Sequence, residues 1–133
     1  MPQHLGALTL LVRDYDEALA YYVDVLGFQL LEDTNLGAGK RWVRVAPPGA
    51  PAGSTALLLA QAATPAQAES IGRQAGGRVL LFLHTTDFAA DYARLHARGV
   101  RFLEEPRYES YGAVAVFEDC YGNRWDLLEQ RAG

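Results

Sequence analysis

The chain has 133 residues, half of them apolar and 21% charged, with a net charge of -4; this is one domain's worth of sequence and excludes a disordered chain or a long multidomain enzyme. No basic run marks a nucleic-acid partner, and no apolar stretch approaches the roughly 18 residues of a membrane span. The N-terminal Met-Pro-Gln-His lacks signal-peptide order, so a cytoplasmic protein is expected, and one cysteine with three histidines supports neither a disulfide framework nor a structural zinc.

In chain order, Leu8, Leu10 and Val12 alternate with Ala7, Thr9 and Leu11, which predicts a strand with two different buried faces. Asp14 then stands where a carboxylate can accept from the first N–H groups of a helix. That helix buries Ala18, Leu19, Tyr22 and Val25, and Gly27 closes it, with a strand starting at the next residue. Residues 34–40 form a turn-rich loop, 41–45 a third strand, 46–53 a Pro/Gly break and 55–61 a fourth strand. Thr64-Pro65 opens a linker helix over about residues 64–76, stopping near Gly76-Gly77. Asp87 caps a second main helix that buries Phe88, Tyr92 and Leu95 and ends at Gly99. Strands at 112–118 and 124–129 flank the turn Asp119-Cys120-Tyr121-Gly122-Asn123.

The two halves are copies of one plan. Asp14 and Asp87 are 73 residues apart, Gly27 and Gly99 72 apart, so a single residue is lost within the helix. Each module reads as βαβββ, about 5–61 and about 78–130, in an α+β fold. The carriers Val12-Arg13-Asp14, Tyr21-Tyr22 with Leu26-Gly27-Phe28, Gly99-Val100 and the closing stretch from Phe117 to Leu127 resemble the vicinal oxygen chelate superfamily. That superfamily includes glyoxalase I, extradiol dioxygenases and bleomycin-binding proteins. Cys120 stands where the family's turn has proline. The resemblance spans nearly the whole chain and implies a cup-shaped incomplete barrel; fold alone does not give the reaction.

In metal-dependent relatives each module contributes ligands from its first and fourth strands. The resemblance places those slots at Ala7, Leu57, Leu80 and Asp126, three of them hydrocarbon, and a side chain without a lone pair cannot replace water on a cation. His84 shares a face with Leu80 but lies about 13 Å further along the strand, and His4 has the wrong parity relative to Ala7. No cofactor is expected; a divalent metal belongs only to the alternative reading, a lyase like lactoylglutathione lyase or a dioxygenase. Cys120 reads as a turn residue more readily than as a reactive thiol, since nothing basic immediately precedes it.

Arg41 and Trp42, with Arg107, Tyr108 and Tyr111 in a loop before the matching strand, are expected to aim at the cup. An arginine fork with aromatic plates holds a planar or carboxylated ligand, although arginine on a strand also lies along surfaces with its stem packed. Asp126 shares the concave side with Arg124 and Leu128, and an arginine partner, Arg41 or Arg107, is expected for it. The leading expectation is a metal-free homodimer that binds a small organic molecule in the cup through Arg41, Trp42, Arg107, Tyr111 and Asp126. A domain whose cup is filled by its own side chains, serving protein association, is the third reading.

Overall fold

The computed structural model describes residues 1–130. The chain divides into two compact units, residues 1–71 and residues 72 onward. In the first unit, β1 (Ala7–Val12), β2 (Gln29–Gly37), β3 (Lys40–Ala46) and β4 (Ala56–Gln61) form an open sheet in the order β1-β4-β3-β2. In the second, β5 (Val79–His84), β6 (Arg101–Phe102), β7 (Arg107–Glu109), β8 (Gly112–Glu118) and β9 (Arg124–Gln130) give β5-β9-β8-β6, with β7 also on β8. The two orders are the same, with a parallel pairing of first and last strands in each. The α+β fold with two tandem βαβββ units is therefore present.

The helices begin as the capping residues dictate. Asp14 accepts from Glu17 N at 2.8 Å to start α1 (Tyr15–Leu19), and Asp87 accepts from Ala90 N at 3.1 Å to start α3 (Phe88–Ala97). Gly27 and Gly99 have φ of 80° and 84°, the left-handed region in which glycine meets no Cβ penalty. Thr64 caps α2 (Pro65–Ser70). That helix stops at Ser70, well short of Gly76-Gly77.

Other expectations are corrected. After Leu19 the chain winds wider, as a π-helical stretch over Ala20–Val25 in which Leu26 N bonds to Tyr21 O at 2.9 Å. The inward stripe then advances by four, through Ala18, Tyr22 and Leu26, leaving Leu19 and Val25 half-buried. The supposed loop at 34–40 is a two-residue hairpin turn: Ala38 and Gly39 have φ of 53° and 78°, and β2 and β3 run right up to it. The strand after α3 is split into β6 and β7 around Pro106, which has no N–H to give a ladder.

Each unit buries one face of its sheet under its helix. In the first, Leu10, Val12, Val43, Val45, Leu57 and Leu59 lie there, with Tyr22 and Leu26 of the helical segment also buried. In the second, Ala115, Phe117, Trp125 and Leu127 do so, Phe117 and Trp125 stacked at 5.8 Å. Full burial of such side chains is worth about 1.5–3 kcal/mol each before ordering costs. The open face of each sheet is the one opposite its helix, although on the second unit Val114 and Leu128 are buried within it.

A candidate ligand-binding face on the second unit

Strand parity sorts the candidate residues. Asp126 pairs with Val116 on β8 and lies beside Phe82 on β5, so it projects from the open face, where Leu128 and Val114 continue the row. Arg107 pairs with Val114 and shares that face, whereas Tyr108 pairs with Ala113 and turns to the helix side, with its ring 6.3 Å from Phe88. Arg107 and Tyr108 therefore belong to a strand and point apart, contrary to the loop expected for them. Tyr111 occupies the turn between β7 and β8, close enough for its phenol to act electrostatically on Arg107.

The structure thus brings Arg107 and Asp126 onto one face, with Tyr111 in the adjoining turn near Arg107. Their pairing is not the expected one. Arg107 Nε donates to Glu104 Oε1 at 3.0 Å, and its NH1 lies 3.6 Å from Glu109 Oε1. Glu104 raises the Arg107 pKa, chiefly through that hydrogen bond. Asp126 Oδ1 is shielded from solvent and no protein donor reaches it. Burial pushes the Asp126 carboxyl above its ordinary value; the positive charge of Arg107 works against this, and the negative charge of Glu104 adds to it. Glu104 and Glu109 were not singled out from the sequence as site residues, although they stand three before and two after Arg107.

Arg41 and Trp42 belong to the first unit and lie on opposite faces of β3. Arg41 shares the helix-covered face with Val43, and its guanidinium is already engaged: 3.1 and 2.7 Å to Asp33, 2.9 Å to Asp16, and 5.1 Å over the Tyr15 ring. These partners hold Asp33 below the usual carboxylate range and Arg41 further above its own. Arg41 is a clamp between α1 and the β2–β3 hairpin. Trp42, 42% exposed, is on the open face of its sheet.

The family's metal slots do not make a metal site from these residues. Leu57 pairs with Val45 under the helix, so the open-face residue of β4 at that level is Leu58, one position on. Leu80 falls in a bulge between Val79 and Leu81, which puts Phe82 beside Asp126. Ala7 does face the open side. With either assignment Asp126 is the sole oxygen donor among the four slot residues, and no group of three His, Cys, Asp or Glu converges among the described residues. The turn beyond β8 is as read: Asp119 accepts from Tyr121 N and Asn123 N, both at 2.9 Å, and from Asn123 Nδ2 at 2.8 Å, while Cys120 is exposed.

Comparison with known proteins places this geometry in context. The chain is 52% identical over 130 residues to an uncharacterized protein of Shewanella frigidimarina (strain NCIMB 400), covering 97% of this chain and 95% of that one. Among solved structures, UcmS2 superposes with a TM-score of 0.81 at 30% identity, covering 96% of this chain and 98% of that one. TnmS3, an antibiotic binding protein from Streptomyces sp. CB03234, gives 0.78 at 34% identity and 98% of both chains. Residues 4–127 match the model of the Glyoxalase/Bleomycin resistance protein/Dioxygenase superfamily, and the chain belongs to that family.

Proposed function

We propose that the protein binds a small organic molecule, noncovalently and without a metal ion, on the open face of its second unit. The observation that carries this reading is the shielded Asp126 Oδ1 with no protein donor, set among Phe82, Val116 and Leu128. A buried acceptor without a partner costs the fold about 1–3 kcal/mol, so a ligand group that supplies the donor recovers that loss on binding. Arg107 and Tyr111 border the same face, and the antibiotic-binding activity of TnmS3, alike over 98% of both chains, supports the ligand class. Hydrocarbon in the other family slots speaks against a lyase or dioxygenase reaction that needs a metal. The molecule would be held and released unchanged.

Calorimetric titration with a panel of antibiotics and amphipathic aromatic compounds tests the reading. The expected result is at least one saturable 1:1 binder, weakened about tenfold or more by Asp126→Asn, with the compound recovered intact. Silence across the panel, or turnover that depends on added metal, would refute it.

A further inference from the structure

Building on the ligand site proposed above, we infer that Glu104 is a positioning residue that withholds Arg107 from Asp126, so that this face reads a hydrogen-bond donor, above all a protonated amine, and turns away a carboxylate. An arginine beside a partnerless carboxylate ordinarily closes on it, since the guanidinium fork matches two carboxylate oxygens. Here the guanidinium is drawn elsewhere: Nε donates to Glu104 Oε1 at 3.0 Å, and NH1 lies 3.6 Å from Glu109 Oε1. Asp126 is left on the same face with Oδ1 shielded and no protein donor.

Two consequences follow for a ligand. An incoming carboxylate finds Arg107 already matched by Glu104 and Glu109, with Asp126 adding a third negative group. An incoming amine finds a carboxylate whose Oδ1 no protein donor holds, beside the Phe82 side chain, which is 60% exposed and able to cover an apolar body. The ligand class is an organic molecule with an aromatic or aliphatic body and a cationic amine. His84, next along β5 on that face, Arg124, next along β9, and Arg101 of β6, whose NH1 lies 3.7 Å from Glu118 Oε2 opposite it, are other groups there able to carry positive charge.

Two matched probes, 2-naphthylmethylamine and 2-naphthoate, test this by equilibrium binding to the native protein, E104Q, D126N and the double variant E104Q/R107Q. The native protein should favour the amine by about tenfold or more, the range expected of one hydrogen bond to a charged group. D126N should lose that preference. E104Q should lose most of it as Arg107 swings onto Asp126, and E104Q/R107Q should regain it, a rescue that mere loss of the Glu104 charge would not give. In NMR titrations the Arg107 Nε–H resonance should move with Asp126 in E104Q and with Glu104 in the native protein. Preference for naphthoate, equal affinity for both probes, or no rescue in the double variant would overturn the inference while leaving organic-ligand binding standing. If neither probe binds, an Arg107 resonance that ignores Asp126 in E104Q overturns it, and a silent antibiotic panel removes the underlying reading as well.

Discussion

A carboxylate oxygen shielded from water without a donor is a stability cost, and Asp126 Oδ1 makes that cost measurable. Its folded pKa lies above the ordinary 3.8, with burial the main cause, so the native state holds this proton more tightly than the unfolded chain. The favourable contribution is complete below about 3.8 and is lost as pH rises through the higher folded value. Asp126→Asn should therefore raise stability at pH 7, a gain made small by partial solvent screening. The gain should vanish near pH 3.8. Urea unfolding of both proteins across this range checks it, and a variant less stable at pH 7 would mean that Asp126 has a favourable partner. Arg41 is the contrasting arginine: Arg41→Met should cost about 1–2 kcal/mol by freeing α1 from the β2–β3 hairpin, while ligand affinity stays within twofold. A large affinity loss would return Arg41 to the site. Which arginine served which purpose was hidden in the sequence because both precede apolar strands; only pairing registers show that one faces its helix and the other faces away.

Among the elements, those with local chemical signals were legible and those set by tertiary packing were not. Asp14, Thr64 and Asp87 marked helix starts because a short acceptor satisfies N–H groups wherever it stands before a helix. The π-helical stretch carries no such mark: its winding follows from seating Tyr22 and Leu26 in the core, at relative exposures of 0% and 2%. Likewise the β4 slot was read one residue early, at Leu57, since a run of three leucines has no alternation to fix its parity. The splitting of the β6–β7 strand moved Arg107 from a loop to a fixed face, and with it much of the candidate site. One glycine was equally silent in the sequence. Gly72 has φ of 76°, and a Cβ there would run into the Tyr121 carbonyl in the turn that Asp119 organises. Gly72→Ala should cost about 2–4 kcal/mol, from backbone strain plus the displaced turn. A change below about 0.5 kcal/mol by thermal unfolding would show that the turn yields freely.

At the scale of the whole molecule, the repeat made the fold readable, because two copies of strand, capped helix and glycine stop constrain each other where either alone is ambiguous. The same repeat said little of activity: the family covers several chemistries, and only the side chains on one face separate them. No helix among the described residues is long and apolar enough to cross a membrane. We propose that the protein is a homodimer, supported by exposed Leu5, Leu8, Leu30, Leu31 and Leu36; light scattering at tens of micromolar should give twice the chain mass, and the chain mass alone would contradict it. Native mass spectrometry of untagged protein mixed with an antibiotic panel tests the central claim most directly, because one spectrum weighs the protein, any metal and any bound molecule together. The account predicts a protein free of stoichiometric nickel, zinc or iron that gains the unaltered mass of a bound compound, an adduct depleted in Asp126→Asn. A stoichiometric metal ion together with a chemically altered compound would contradict it.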